Sequence, residues 1–256
     1  MDETTNIYFV GTAGSGKSTL TNAFQLWMQQ QGYDAITVNL DPGAERIPYP
    51  ADVDVRDWIS LSEVMDRYSL GPNGAQVMCA DMLGLKAREI KEAIEDFKTD
   101  YVLIDTPGQI ELFAYRESSR TAVQILGANR SMIAFLYDPV LSKSSLGFTS
   151  LLMLGASVQF RFPLPFTNIL SKTDMLTEEE LNRILTWGKD AVELEEALLK
   201  EKSGLEREVN FESLRILENL GAYKTLIPIS SNSNWGMEDL YNSAQQVFMG
   251  GEDLTH

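Results

Sequence analysis

The sequence predicts an α/β fold in three layers, a mainly parallel β-sheet flanked by helices. Three observations point to it. Short runs of β-branched and aromatic residues recur along the 256 residues, and each gives way to a helical pattern. The runs are continuous rather than alternating, as expected of strands buried on both faces. A glycine-rich segment separates the first run from the first helical pattern. Strands that alternate with helices pair in parallel through crossover connections.

Taken in chain order, the strands are expected at Ile7–Val10, Ala35–Val38, Tyr101–Ile104, Met132–Leu136, Phe166–Leu170 and Leu226–Ile229. Helices are expected over 17–31, 87–98, 178–200 and 235–248. In the second of these, Ile90, Ala93, Ile94 and Phe97 recur at helical spacing. Thr177-Glu178-Glu179-Glu180 reads as a capping box that opens the third, whose apolar stripe runs through Leu181, Ile184, Leu185, Val192 and Leu199. Segment 141–166, rich in Leu, Met and Phe, reads as core or as a hydrophobic docking groove. No internal repeat and no low-complexity linker appears, so residues 1–256 read as one domain.

Composition removes several functions. The balance of 21 basic against 37 acidic residues gives a net charge of −16, which repels nucleic acid and anionic lipid at long range. No local basic patch offsets it, so neither a nucleic acid nor a membrane is an expected partner. No run of 18 apolar residues suggests a transmembrane span, and the start Met1-Asp2-Glu3 lacks the basic residues of a signal peptide. His256 is the only histidine, which argues against histidine catalysis and histidine-ligated zinc. Cys79, the only cysteine, reads as a small buried hydrophobe, and the absence of an internal disulfide fits a reducing cytoplasm.

Gly11-Thr12-Ala13-Gly14-Ser15-Gly16-Lys17-Ser18 matches the phosphate-binding pattern G-x-x-x-x-G-K-[ST] and lies between a strand and a helix, as that pattern requires. Glycines let backbone N–H groups curl around phosphates, and the helix N-terminus adds partial positive charge. Gly14, Ser15, Gly16, Lys17, Ser18 and Thr19 are expected on the nucleotide, with Lys17 reaching the β- and γ-phosphates and the Ser18 hydroxyl on Mg²⁺. Asp105-Thr106-Pro107-Gly108 closes a buried strand. Asp105 at that position can hold Mg²⁺ through water, and the Gly108 N–H can sense a γ-phosphate. Gln109 and Glu111 follow as groups able to orient a water molecule.

Ser171-Lys172-Thr173-Asp174 ends another buried strand with the pattern x-K-x-D. The Asp174 carboxylate suits the N1–H and N2 amino donors of guanine, a pair that adenine lacks, and the Lys172 stem suits the base plane. Ser171 stands where such motifs usually carry Asn. Ser231, after the last strand, can offer a backbone N–H to guanine O6. Asp41, in Asn39-Leu40-Asp41-Pro42-Gly43, ends the second strand on the same sheet edge, so it reads as facing the nucleotide or as a turn residue. Gly71-Pro72-Asn73-Gly74 has the composition of a tight turn.

Taken together, these motifs resemble those of the GPN-loop GTPases, a family named for the tripeptide found here as Gly71-Pro72-Asn73. The resemblance spans about residues 5 to 250, and Ser at the position of Ser171 is a form that the family also shows. It implies a P-loop GTPase domain of the SIMIBI class with a helical insert at about 55–98 that carries the GPN loop. It also implies a homodimer in which Asn73 of one subunit completes the other's active site, while Asp41, Gln109 and Glu111 position or activate the attacking water. Eukaryotic members are linked to assembly and nuclear import of RNA polymerase, so a polymerase subunit or assembly factor is the client the resemblance suggests.

Two other classes share parts of the pattern. A P-loop small-molecule or nucleoside kinase needs an arginine-rich lid, and Asp105–Gly108 with Ser171–Asp174 argues against it. A MinD-type ATPase carries an early lysine where this chain has Thr12 and Ala13. A scaffold whose GTP cycle only gates partner binding fits the motifs equally well.

Overall fold

The computed structural model describes residues 4–201, 212, 214–218 and 225–248. β1 (Thr5–Gly11) leads into α1 (Lys17–Gln30), β2 (Ala35–Asn39) and a two-residue β3 (Val53–Asp54). Then come α2 (Leu61–Tyr68), α3 (Pro72–Glu95), β4 (Tyr101–Asp105), α4 (Ile110–Ala114), α5 (Glu117–Gly127) and β5 (Ser131–Tyr137). The chain continues through α6 (Pro139–Ser142), α7 (Ser145–Arg161), β6 (Phe166–Leu170), α8 (Glu178–Lys189) and α9 (Ala191–Glu201). Strand β7 (Leu226–Pro228) and α10 (Met237–Phe248) complete the described elements.

The sheet has the order β3-β2-β4-β1-β5-β6-β7, and every pairing among the described strands is parallel. The sheet is thus more uniform than the mainly parallel one expected. All six expected strands form, while β3 is too short to leave a pattern in the sequence. Side chains alternate across the sheet. Ile7 and Phe9 of β1 pack with Leu20, Phe24 and Met28 of α1 and with Leu240 and Tyr241 of α10. Tyr8 and Val10 enter the opposite core with Leu83 and Ile90 of α3, Val123 of α5 and Leu152 of α7. Those two cores separate the three layers.

Helix α3 begins at Pro72, well before the 87 expected. Gly71 is its extended N-cap and Pro72 occupies the first turn, where a missing N–H costs nothing. Residues 71–74 are therefore a helix start, not a tight turn. Ala75, Cys79, Leu83, Ala87, Ile90 and Ile94 form its buried stripe, so Cys79 is the core residue it was expected to be. A Cβ added at Gly84 would stand 3.0 Å from both Cα and O of Ser118, which shows how closely α3 and α5 approach. The expected helix over 178–200 is divided at Asp190, whose extended backbone ends α8 before α9 starts; the Thr177–Glu180 capping box is present. In segment 141–166, Phe148, Leu151, Leu152 and Val158 are core, whereas Leu141 and Phe160 are exposed. Among the described residues no helix is long and apolar enough to cross a membrane.

Candidate functional site

Parallel register brings the motifs to one sheet edge. Phe9 and Asn39 both pair with Asp105, Gly11 with Leu136, and Tyr137 with Leu170. The segments that follow these strand ends, at the carboxyl side of an open α/β sheet, hold the residues singled out from the sequence.

In the phosphate loop, Gly14 and Gly16 adopt φ of 76° and 97°, a left-handed conformation that disfavours any side chain. Gly16 caps α1, so the first N–H groups of the helix face the loop. The Lys17 ammonium donates to the carbonyls of Gly11 and Thr12, both at 3.0 Å. Burial lowers its pKa, while the carboxylates of Asp105 and Asp41 oppose that shift. Ser15 Oγ is buried without a hydrogen-bond partner. Ser18 is half-buried and Thr19 exposed.

Asp105 is 2% exposed. Burial pushes its carboxyl up to about 6 against the pull of the Ser18 hydroxyl and the Lys17 ammonium. Tyr49 donates to Asp105 Oδ2 at 3.1 Å, whereas Oδ1 is buried without a partner.

The Asp41 carboxylate clamps two loops. Oδ1 accepts from the Gly43 N–H and Oδ2 from the Gly108 N–H, each at 2.9 Å. The Gly108 N–H expected to meet phosphate is thus engaged by Asp41 in this state. Asn39 Oδ1 accepts from the Asp41 N–H at 3.0 Å, and Asn39 Nδ2 donates to Asp54, which in turn holds Arg56. Gln109 is exposed and donates to Gln76 Oε1 at 3.2 Å. Glu111 lies in the first turn of α4, exposed, with no hydrogen bond to Asp41 or Gln109. Asn73 is exposed in the first turn of α3, and its side chain makes no hydrogen bond among the described residues.

At the other end of the site, Ser171 Oγ donates to Ser15 O at 2.7 Å, tying the x-K-x-D loop to the phosphate loop. That link explains what a short hydroxyl does where Asn is usual. The Lys172 ammonium bonds the Gly14 carbonyl and lies 3.3 Å from Asp138 Oδ2. Asp174 is exposed, and its two oxygens accept from Ser230 Oγ at 2.9 Å and Asn232 Nδ2 at 2.8 Å. The bond from Ser230, then that from Asn232, holds its carboxyl below the usual range. Gly16, Thr19, Lys172, Asp174 and Ser231 share the walls of a cleft of about 210 Å³. A larger cleft of about 470 Å³ at the opposite sheet edge, lined by Asn6, Lys98 and Arg130, touches none of these motifs.

Sequence reasoning missed Tyr49, Gln76 and the chain Asn39–Asp54–Arg56. Each is an ordinary polar residue whose partner is distant in sequence. Pro48-Tyr49-Pro50, an aromatic fixed between two prolines, was the one local signal available.

Strand, phosphate loop and helix, with Lys17 in the loop and aspartates on adjoining strand ends, define a P-loop nucleoside triphosphatase. A family model described as "Conserved hypothetical ATP binding protein" matches residues 9–250. The chain is 31% identical to "GPN-loop GTPase PAB0955" of Pyrococcus abyssi over 251 residues, 97% of this chain and 99% of that one. It is 33% identical to "GPN-loop GTPase 3" of Saccharomyces cerevisiae, over 96% of this chain and 93% of the relative. The crystal structure of PAB0955, a GTPase in apo form from Pyrococcus abyssi, superposes with a TM-score of 0.83 at 30% identity, covering 95% of this chain and 97% of that chain. The chain belongs to the GPN-loop GTPase family.

Proposed function

We propose that the chain binds GTP with Mg²⁺ and hydrolyses it to GDP and phosphate. The observation that carries this is the shared cleft: Gly16 and Thr19 of the phosphate loop and the Asp174 carboxylate line one cavity, so phosphate and base subsites are continuous. The family model's description mentions ATP, but an ionised carboxylate beside the base matches the paired donors of guanine and repels the acceptor N1 of adenine. Each Asp174 oxygen still has a lone pair after its bond to Ser230 or Asn232.

Ser18 and Asp105 are the residues that would hold Mg²⁺. The buried, unpartnered Asp105 Oδ1 supports this, because a carboxylate oxygen in that state lacks a donor or a cation. When bound, Mg²⁺ would offset charge on the β- and γ-phosphates. Among the described residues no group of three His, Cys, Asp or Glu stands ready to hold a metal. The phosphates would complete the coordination.

Lys17 turns from its two carbonyls to the β- and γ-phosphates. A γ-phosphate oxygen takes the Gly108 N–H from Asp41 and frees one carboxylate oxygen. That oxygen, with Gln109 and Glu111, aligns a water whose oxygen bonds to the γ-phosphorus as the bond to the β,γ-bridging oxygen breaks. Asp41 accepts the water's proton. Asn73, exposed and with a side chain that makes no hydrogen bond among the described residues, acts across a homodimer. The GTP cycle gates binding of a protein client in the cytoplasm; polymerase subunits and assembly factors are the clients the family suggests.

Base competition tests the proposal. GTP should bind and turn over while ATP at equal concentration does neither. Asp174→Asn should shift preference to xanthosine triphosphate, with a loss of about 2–4 kcal/mol in GTP binding from removal of a charge-assisted pair. Equal affinity of the unmodified chain for ATP and GTP would contradict it.

A further inference from the structure

Gln76 stands three residues after Asn73 on α3 and is half-buried between two loops of the site. Its Oε1 accepts from Gln109 Nε2 at 3.2 Å. On its other side it lies beside the Asp41 turn, since a Cβ added at Gly43 would stand 3.3 Å from Gln76 Nε2 and 3.5 Å from its Cγ. Asp41 bonds the N–H groups of both Gly43 and Gly108. Gln76 therefore sits beside both of the loops that Asp41 joins and is hydrogen-bonded to one of them through Gln109.

We infer that Gln76 is a positioning residue for hydrolysis, acting through Gln109. A glutamine on an exposed loop visits several rotamers, whereas a water-orienting amide must hold one. Gln76 supplies the acceptor that fixes Gln109, and it does so from the helix turn that also displays Asn73. The water-orienting loop is thereby registered to the placement of α3, and the helix that carries the GPN tripeptide sets the geometry of its own subunit's chemistry. This rests on the proposed GTP hydrolysis and adds a residue to it.

The test uses the full chain with Gln76→Leu, which keeps the volume and removes the acceptor. Turnover should fall by about 10–10²-fold, up to the scale of a reacting group misplaced by an ångström. KM for GTP and the thermal midpoint should stay as in the unmodified chain. In a Gln109→Ala background, Gln76→Leu should cause no further fall, because residues that act as one unit do not add. Unchanged turnover in Gln76→Leu, a fall that adds fully to that of Gln109→Ala, or a loss that tracks a lowered thermal midpoint would overturn the inference while leaving GTP hydrolysis standing. Absence of hydrolysis in the unmodified chain would overturn both.

Discussion

In the proposed reaction, two charged side chains divide the work at the phosphate end. Lys17 is buried, folded onto Gly11 and Thr12, and kept close to Asp105 and Asp41. Asp41 stands outside the phosphate loop and ties its own turn to the Gly108 loop through the N–H groups of Gly43 and Gly108. Removing each should therefore have a different signature. Lys17→Ala loses the contact to β- and γ-phosphates and should abolish GTP binding in a filter or calorimetric assay. Asp41→Ala should leave GTP bound and slow single-turnover hydrolysis by about 10²–10⁴-fold, the usual worth of a group that aligns and deprotonates water. Normal hydrolysis by Asp41→Ala would make Asp41 only a loop clamp.

At the scale of elements, the placement of Asp41 depends on a short edge strand. β3 pairs with β2 through Val53 and Asp54, and Asp54 links Asn39 to Arg56. Burial pushes the Asp54 carboxyl up, but bonds from Arg56 and Asn39 outweigh it and hold the group below its usual range. A carboxyl depressed in the folded state stabilises above its unfolded pKa, about 3.9, and loses that contribution as pH falls through the lower folded value. Arg56→Ala should thus cost about 1 kcal/mol near neutral pH, the upper end for a partly exposed pair. In thermal melts the gap to the unmodified chain should be constant above about pH 5 and shrink below about pH 4.

Elements also show what the sequence could tell. The central strands were legible because burial on both faces leaves unbroken apolar runs, and α1 because the phosphate-loop pattern marks its start. The first half of α3 was not. Gly71-Pro72-Asn73-Gly74 has the chemistry of a turn and of a helix cap alike, and only packing against α5 chooses between them. The break at Asp190 is equally silent, since Leu181, Ile184, Leu185 and Val192 keep helical spacing across it. Among site residues, those within local motifs were found, while Tyr49 and Gln76 were missed because their partners Asp105 and Gln109 lie far along the chain.

At the scale of the molecule, the proposed site gathers most of its residues on one chain and displays one of them outward. Phosphate loop, Asp105, Asp41 and the Ser171–Asp174 loop converge on one sheet edge, but Asn73 stands exposed on α3 with a side chain that makes no hydrogen bond among the described residues. Neither the phosphate loop nor Asp105–Glu111 contains an arginine, and P-loop enzymes commonly draw a further charge-stabilising group from a partner. The Asn73 amide can donate in trans without adding charge. Asn73→Ala should then slow hydrolysis by about 10–10³-fold, the scale of one preorganised donor, with GTP affinity unchanged. The most direct measurement mixes two impaired variants: the slowed Asn73→Ala, whose phosphate loop is intact, and Lys17→Ala, which keeps Asn73. A shared site predicts that the mixed dimer recovers hydrolysis at one of its two sites. A proven mixed dimer no faster than Asn73→Ala itself would contradict it and assign Asn73 to its own subunit.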